Sequence, residues 1–491
     1  MRVPTTIDKN CLSAYNSSKY PWTGQTSQGS TIKAWDWSIP KSLQEQCVEC
    51  IAKNWIEWPI LDEIVLQEDR LLLLDILAET VPLELAVSHI NDEVYWEKCY
   101  LNRWPNKLPK DTAKSRSSKT TGAQTGNKLE ANAWKKYYCE MHLRDYLESL
   151  KPENYNPVEI KQLCGLCGPY VDALEIHETI CSEASNGKIP LHALLTGLEH
   201  LKMLSLRFKQ TYAKDEFSWN TVTTSYQDMS LLAKGLQNIR LQELRLTDSD
   251  IDCDKAIIIL KALCKHDLAV LDLSHCKIGD RGAVAIARFT TLCPVRELYL
   301  VNNRIGKYTI RPLLMGHPNL LIANLARNSG TKGVKSLAYA VAQEGCELHH
   351  LDLHLNHVSD QAGNILLASL VKYNQSLKSI LLSSCSLTNH FQIARALKHR
   401  NCIERLDVSN NALGEDTGLE LLRALKSNST MRKLDVRMCK ISSSTEAGIQ
   451  HEVHKNRIGW SKDCASESVA WDDILKAEIE NALITTQGFN D

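Results

Sequence analysis

The chain has 491 residues, of which 57 are Lys or Arg and 58 are Asp or Glu, so its formal net charge is −1. A dedicated nucleic-acid-binding protein needs a basic excess, and a membrane-spanning helix needs about 20 consecutive apolar residues. The sequence has neither, and residues 1–10 lack the apolar core of a secretory signal peptide. Composition therefore argues against nucleic-acid-binding, membrane-spanning and secreted proteins, and it predicts that the 17 cysteines are mostly reduced thiols.

Two regions rich in tryptophan begin the chain. Residues 1–39 carry Trp22, Trp35 and Trp37 among Ser, Thr, Gly and Gln, which predicts an extended arm. These tryptophans are expected either to dock on a partner or to pack on the chain's own second half. Residues 40–104 are predicted to form a helical N-terminal domain, because apolar side chains recur there at the spacing of one helical face. In the first helix these side chains are Leu43, Cys47, Cys50, Ile51 and Trp55.

Three further segments flank the central part of the chain. Residues 105–128 hold six basic residues, one acidic residue and seven Ser or Thr, which favours a solvated linker over a charge-driven contact or a phosphorylation site. Residues 129–156 are predicted to contain a connecting helix, from about 128 to 150. Residues 456–491 are predicted to be a tail with an amphipathic helix that caps the preceding domain, or alternatively docks on a partner. The apolar residues of that helix are Trp471, Ile474, Leu475, Ile479, Ala482 and Leu483.

Between residues 157 and 455 the sequence repeats the pattern L-x-x-L-x-L-x-x-N/C-x-I/L at intervals of 25 to 29 residues. Copies begin at Leu241, Leu268, Val295, Leu320, Leu348, Leu377, Ile403 and Met431. Degenerate copies at Val171 and Leu201 bring the number to about ten. The L-x-L segment predicts a short strand with inward leucines, and the stretch after it has helical spacing. A strand and a helix in ~28 residues predict an α/β solenoid, the ribonuclease-inhibitor-like leucine-rich repeat horseshoe, with the N-terminal helices as its cap.

The ninth position of the motif is expected to stabilise the turn that follows each strand. A small polar or thiol side chain there can hydrogen-bond backbone groups that stacking would otherwise bury unpaired. The residues are Ser249, Cys276, Asn303, Asn328, Asn356, Cys385, Asn411 and Cys439. The copy that begins at Leu320 is weaker, because Ala323 and Gly330 stand where leucine and isoleucine are expected.

The fifth motif position faces the concave side of the predicted sheet and carries Asp272, Asp352, Asp407 and Asp435. Tyr299, Asn324 and Leu381 interrupt this row. Adjacent strands are ~4.8 Å apart, so Asp407 and Asp435 are expected to be neighbours. Aligned acids suit a basic partner segment, although aspartate there could equally serve only to keep the sheet soluble. The candidate protein-interaction residues are Asp272, Tyr299, Asp352, His354, Asp407, Asp435, Trp22, Trp35 and Trp37.

One set of residues has the spacing of a metal site. Cys164, Cys167, His177 and Cys181 form C-x2-C-x9-H-x3-C. Cys181 falls at an inward motif position, however, and Cys164 and Cys167 share one face of a helix, so three core thiols account for the pattern better. The sequence also has no nucleophile elbow or zinc-protease motif. We therefore predict no metal, no cofactor and no enzymatic activity.

Segments inside and outside the repeats resemble one family. They are INDEVYWEKCYLNRW (90–104), AWKKYYCEMHLRDYLESL (133–150), LQELRLTDSDIDCDKAIIILKAL…LAVLDLSHCKIGDRGA (241–283) and KLDVRMCKISSSTEAGIQHEVHKNR (433–457). In this order, over roughly residues 40–457, they resemble the t-complex-associated testis-expressed 1 family, dynein regulatory complex subunit 5. Cysteine replaces the family's asparagine at Cys276, Cys385 and Cys439.

The resemblance implies a non-enzymatic scaffold subunit of the nexin–dynein regulatory complex, which links doublet microtubules in motile cilia and flagella and regulates inner-arm dyneins. The implied partners are other subunits of the complex and, through it, the doublet microtubule and the inner dynein arms, with no nucleic acid and no membrane. The implied location is the cytoplasm, on the cytoskeleton of the axoneme. Two alternatives remain at this point: a Ran-type GTPase-activating protein, with Arg281 or Arg304 as the first candidates for a supporting arginine, and a ubiquitin-ligase substrate adaptor.

Overall fold

The structure is a computed structural model of the chain. It describes residues 42–77, 81–107, 109, 133–150, 156–177, 191–208, 224–306, 313–314, 319–328, 331–342, 346–374, 376–399 and 403–461. The predicted arm, most of the predicted linker and the predicted tail helix lie outside these ranges. The chain divides into two compact units, Met1–Ala78 and Glu79–Asp491. Within the described ranges, no helix has the length and apolar character needed to cross a membrane.

In its described residues, 42–77, the first unit contains two helices, α1 (Leu43–Asn54) and α2 (Gln67–Ile76). A capping box starts α1, because the Ser42 hydroxyl accepts from the amide of Glu45 and the Glu45 carboxylate accepts from the amide of Ser42, at 3.1 and 2.7 Å. The small core of this unit consists of Val48, Trp55, Leu61, Leu73, Leu74 and Leu77.

The second unit contains the remaining elements. Its helices are α3 (Leu83–His89), α4 (Glu93–Arg103), α5 (Ala133–Ser149), α6 (Pro157–Cys167), α7 (Leu191–Leu195), α8 (Tyr226–Leu236), α9 (Cys253–Leu263), α10 (Asp280–Leu292), α11 (Thr331–Val341), α12 (Asp360–Tyr373), α13 (Ile393–His399), α14 (Gly414–Leu425) and α15 (Ser443–Ser461). Its strands are β1 (Ala173–Ile176), β2 (Met203–Arg207), β3 (Glu243–Thr247), β4 (Val270–Asp272), β5 (Glu297–Tyr299), β6 (Ile322–Asn324), β7 (His350–Asp352), β8 (Ser379–Leu381), β9 (Arg405–Asp407) and β10 (Lys433–Asp435).

The ten strands form one parallel sheet in the order β1 to β10, which confirms the predicted α/β leucine-rich repeat solenoid. The leucines predicted to point inward are buried, with Leu273 2% and Leu353 1% exposed. The weak repeat keeps its place, since Ala323 pairs in register with Leu298 on one side and Leu351 on the other. Backbone hydrogen bonds set this register, so a small side chain at an inward position does not interrupt the sheet.

The helical region before the repeats is organised differently from the single 40–104 domain of the sequence analysis. The boundary between the units falls after residue 78, so α3 and α4 belong to the second unit. The physical reason is aromatic packing between α4 and α5. The Tyr100 ring lies 5.5 Å from that of Trp134, and the Trp96 ring lies 5.1 Å from that of Tyr138. The helix α5 is therefore a packing partner for the tryptophans of α4 as well as a connection.

The same helix covers the first edge of the sheet. The Glu140 carboxylate accepts from the amides of Asp172 and Ala173, at 3.2 and 2.9 Å, and the Glu148 carboxylate accepts from the amide of His177 at 2.7 Å. These are the amides with which another strand would pair. Burial raises the pKa of Glu140 to about 7, against the opposing effect of the two amide hydrogen bonds.

At the last strand, the cover is the helix α15. Its Gln450 side-chain amide donates to the carbonyl of Leu434 at 2.9 Å. The Asn456 side-chain amide donates to the carbonyls of Asn428 and Met431, at 2.9 and 3.2 Å. Ile449 and Val453 on the same helix are buried, so α15 closes the end of the repeat core.

Candidate interaction face of the parallel sheet

From β3 to β10, the backbone leaves the strand through a left-handed residue at the eighth motif position. Eight non-glycine residues there have φ between 48° and 57°: Asp248, His275, Asn302, Arg327, Leu355, Ser384, Asn410 and Met438. In the first seven of these residues the amide donates to a carbonyl of the next repeat, as in His275 to Val301 at 2.7 Å. Such a conformation costs an L-residue about 1–2 kcal/mol, so the stacked hydrogen bonds must hold it in place. The turn is therefore a repeated, specified feature of the concave face.

The ninth position confirms the predicted turn-stabilising role. The Asn303 amide group donates to the carbonyl of Leu273 at 2.8 Å, and its oxygen accepts from the amide of Ile278 at 3.1 Å. Asn411 acts in the same way, since it donates to the Leu382 carbonyl and accepts from the Cys385 amide, at 2.8 and 2.9 Å. Both groups of the side chain thus tie one repeat to its predecessor.

Where cysteine occupies this position, the thiol replaces the donor of the asparagine. The thiols of Cys276, Cys385 and Cys439 donate to carbonyls of the preceding repeat, at 3.3, 3.2 and 3.0 Å. The acceptors are Leu246, Leu353 and Val408, in that order. Burial raises the pKa of Cys276 and of Cys385 to about 12, and that of Cys439 to about 11. The substituted positions are therefore protonated structural thiols.

The aspartates of the fifth position have a role that the sequence analysis missed. In each one a carboxylate oxygen accepts from the amide two residues later, for example Asp352 from His354 and Asp407 from Ser409, both at 2.9 Å. Asp272 and Asp435 make the same bond, at 2.9 and 3.1 Å. Asn324, which seemed to interrupt the row, accepts from Ala326 at 3.1 Å. Asp and Asn at this position are thus strand-end turn residues, and their shared chemistry was the available signal.

Burial divides these candidate residues. Asp272 is 8% and Asp352 3% exposed, whereas Asp407 and Asp435 are half-buried and pair directly in register across β9 and β10. Burial raises the pKa of Asp272, against the charge of Arg245, whose guanidinium lies 3.5 Å away. The aspartates that remain within reach of a partner are therefore the last two.

Tyr299 and His354 are held by carboxylates. The Tyr299 hydroxyl donates to Glu297 at 3.0 Å, and the ring, only 8% exposed, lies 5.7 Å from the Arg245 guanidinium. The His354 ring nitrogen lies 2.8 Å from an Asp352 oxygen. Burial acts to lower the pKa of His354, but the hydrogen bond and charge of Asp352 outweigh it and raise that pKa.

The accessible end of the face carries both signs of charge. Arg405 and Lys433 occupy the third position beside Asp407 and Asp435. The Arg437 guanidinium binds Asp435 with both ends of its fork, at 3.0 and 2.6 Å. Burial acts to raise the pKa of Asp435, but Arg437 outweighs it and holds that pKa below its usual value. This end can form charge-assisted hydrogen bonds of either polarity.

The predicted metal set is only partly described, because Cys181 lies outside the described residues. Cys164 and Cys167 are buried, as the core-thiol interpretation requires. The hydrogen bond with Cys139, together with burial, raises the pKa of Cys167. No group of three or more His, Cys, Asp or Glu that could hold a metal occurs in the described part of the chain. Arg281, one of the two candidate arginines of the GTPase-activating alternative, is ion-paired with Asp254.

The tryptophans Trp22, Trp35 and Trp37 lie outside the described residues. Of the nine candidate interaction residues, the structure therefore places six. Asp407 and Asp435 meet at one end of the sheet, while Asp352 and His354 form a pair on and after β7. Asp272 and Tyr299 are register partners on β4 and β5.

Comparisons with known proteins agree with the fold. A family model described as a leucine-rich repeat matches residues 265–287. Dynein regulatory complex subunit 5 of Mus musculus is 29% identical over 278 residues, and that of Macaca fascicularis is 30% identical; each alignment covers 52% of this chain and 52% of the relative. Ribonuclease inhibitor of Mus musculus is 24% identical over 349 residues, or 69% of this chain and 66% of that protein.

A solved structure described as the Rad7 and Elc1 complex in yeast is 13% identical, with a TM-score of 0.44, over 84% of this chain and 91% of that chain. The chain spans about half the length of the first curated relatives that it matches.

Proposed function

This chain is a leucine-rich repeat protein related to dynein regulatory complex subunit 5, and from that relationship we propose that it is a non-enzymatic scaffold subunit of the nexin–dynein regulatory complex. In this proposal it resides on the axoneme of cilia or flagella, where it supports linkage of doublet microtubules and regulation of dynein-driven motility. Its partners are other subunits of the complex and, through them, the doublet microtubule and the inner dynein arms.

The observation that carries the proposal is the 278-residue match to three relatives named as subunits of a dynein regulatory complex. The fold supports a scaffold, because stacked repeats present an extended surface for other proteins. The described residues add buried turn residues and core thiols, which are structural groups. The extended repeat surface is what supports a binding role.

The proposed contact on the repeat domain is the β9–β10 end of the concave face. Asp407 and Asp435 are the accessible members of the candidate row, and Arg405 and Lys433 flank them. A partner strand or helix with charges of both signs would complement this arrangement and gain specificity from it. Because both aspartates also hold the turn, a test must separate their charge from their hydrogen bond.

Asparagine provides that separation, since Asn324 makes the same turn bond in this chain. The variant Asp407→Asn with Asp435→Asn should fold as the wild type does and lose the two charges. A matched control, Asp416→Asn with Glu420→Gln, removes two charges from exposed positions on α14. Both proteins are expressed in a motile flagellate or sperm line that lacks the endogenous protein. Retention on detergent-extracted axonemes and the beat waveform are then measured.

We expect the control variant to be retained as the wild type is, and the Asp407/Asp435 variant to be retained several-fold less. Equal retention of both variants would remove the β9–β10 end as the contact while leaving the axonemal assignment intact. A wild-type protein that stays diffuse in the cytoplasm and leaves with the detergent would contradict the assignment itself.

A further inference from the structure

The described part of the first compact unit carries many exposed apolar side chains. Seven large apolar side chains there are between 36% and 95% exposed, out of nineteen such exposed side chains among the described residues. The seven are Leu43, Ile56, Trp58, Val65, Leu66, Leu71 and Ile76. Exposed apolar groups concentrated in this way mark a surface that another molecule covers.

The helix α1 shows how this surface arises. The apolar face predicted from its sequence is split, because Trp55 is buried while Leu43, Cys47 and Cys50 are exposed. The exposed three recur at i, i+4 and i+7, which places them along one side of the helix. Leu43, Cys47 and Cys50 thus form an exposed apolar stripe along α1.

The segment between α1 and α2 carries further exposed apolar side chains, and hydrogen bonds hold its backbone. The Arg70 guanidinium donates to the carbonyls of Asp62 and Ile64, at 3.3 and 3.4 Å, and the Trp55 indole donates to the carbonyl of Ile60 at 3.2 Å. Trp58 and Val65 nevertheless remain 76% and 95% exposed. A fixed backbone that presents tryptophan and valine to solvent lowers the ordering cost of binding.

The charge of this unit defines what can cover it. Residues 42–77 contain eight acidic and two basic side chains, whereas the entire chain is nearly neutral. We propose that the surface formed by α1, α2 and the segment between them, residues 42–77, docks an amphipathic helix of another protein whose apolar face is flanked by Lys and Arg. Leucines at helical spacing would bury the exposed stripe, and the basic flanks would meet the carboxylates.

The chain's own basic linker is a poor occupant. Residues 105–128 carry six basic side chains but Leu108 is their only large apolar residue, so they cannot cover this much apolar surface. The arm of residues 1–39 combines basic residues with three tryptophans, and it is the competing occupant that the experiment must distinguish. Purified protein, without axonemes, is enough to distinguish these occupants.

The experiment uses the purified full chain and two synthetic 18-residue peptides with the same leucine face, one with lysine and one with glutamate at all other positions. Fluorescence anisotropy of labelled peptide gives the affinities. We expect the leucine–lysine peptide to bind at least tenfold more tightly than the leucine–glutamate peptide at low salt, and to weaken as salt screens the charges.

The variant Trp58→Ser with Val65→Ser should weaken that binding about tenfold. Its matched control is Leu292→Ser with Met438→Ser, at side chains 71% and 79% exposed in the other unit, and it should leave binding within twofold of the wild type. Equal affinities for the two peptides, or equal losses in the two variants, would overturn the proposal.

A full-length variant with Trp22→Ser, Trp35→Ser and Trp37→Ser tests the competing occupant. If the arm does not cover the surface, this variant should bind the leucine–lysine peptide as the wild type does. A tenfold gain in affinity would mean that the arm already occupies the surface, and it would overturn docking of another protein as the resting arrangement.

Discussion

Each end of the sheet is covered by a helix, but the covering side chains accept hydrogen bonds at one end and donate them at the other. At β1 the covering helix α5 supplies carboxylates, Glu140 and Glu148, which accept from strand amides. At β10 the covering helix α15 supplies the side-chain amides of Gln450 and Asn456, which donate to backbone carbonyls. Both arrangements hide a strand edge that could pair with another chain. Only the first edge uses titratable side chains for these hydrogen bonds, so its protection is expected to depend on pH.

Substitutions in the core of the solenoid are expected to have larger effects on the free energy of unfolding than substitutions at either end. Leu273→Ala and Leu353→Ala should each lower the free energy of unfolding by about 2–5 kcal/mol, because each removes a buried side chain and leaves a cavity. Urea unfolding followed by circular dichroism measures the loss. An unchanged midpoint for both variants would contradict the inward placement of these leucines.

Stability is expected to depend on pH through Glu140 at the first edge of the sheet. The folded pKa of Glu140, about 7, lies above its usual value of 4.5, so the folded state binds more protons than the unfolded chain between these values. The contribution of Glu140 to the free energy of unfolding therefore falls as pH rises from about 4.5 to 7, by at most about 3 kcal/mol.

Glu140→Gln keeps an acceptor and cannot ionise, so it should match the wild type near pH 4.5 and exceed it in stability at pH 8. Thermal unfolding at a series of pH values checks this difference. Parallel curves for the two proteins would show that Glu140 does not titrate in this range and would remove the asymmetry.

Removal of the acceptor at the first edge should cost less than a core cavity. Glu140→Ala leaves the amides of Asp172 and Ala173 without their carboxylate, which should lower stability at pH 5 by about 1–3 kcal/mol. Hydrogen exchange should accelerate at these two amides more than at those of β5. If Glu140→Ala and Glu140→Gln lose the same stability at pH 5, the hydrogen bonds are not what the carboxyl group contributes.

The smallest effect is expected at the last edge. Gln450→Ala removes a neutral hydrogen bond to Leu434 and should lower stability by about 0.5–1.5 kcal/mol, equally at pH 5 and pH 8. His451→Ala, at an exposed position of the same helix, is the control for helix propensity. A loss at Gln450 that changes with pH would mean that the second end is also coupled to ionisation.

The leucine-rich repeats could be predicted from the sequence, because the role of each residue depends on its position within its own motif. The inward position of Leu273 and the turn-stabilising role of Asn303 follow from motif position alone, and the structure confirms both. The weak copy around Ala323 could also be placed, since its neighbours on both sides fixed the interval.

The remaining features depend on contacts that a linear pattern does not contain. The cover of Glu140 over Ala173 joins residues 33 positions apart and requires the docking angle of α5. Outward spacing suggested that the aspartates face a partner, but it could not distinguish such a side chain from one that folds back on its own turn, as Asp352 does. Whether Asp407 and Asp435 also contact another protein stays a prediction.

The cysteines at the ninth motif position can report where the solenoid opens. Cys276, Cys385 and Cys439 are buried and protonated, so alkylating reagents should reach them only when their repeats separate, while Cys47, Cys50 and Cys264 are exposed from the start. The stability of a repeat array comes largely from the interfaces between neighbouring repeats. The order in which Cys276, Cys385 and Cys439 become alkylated would therefore show where along the array opening starts. Cysteine at the ninth motif position thus gives this chain three thiols whose rates of alkylation report opening at three known repeats.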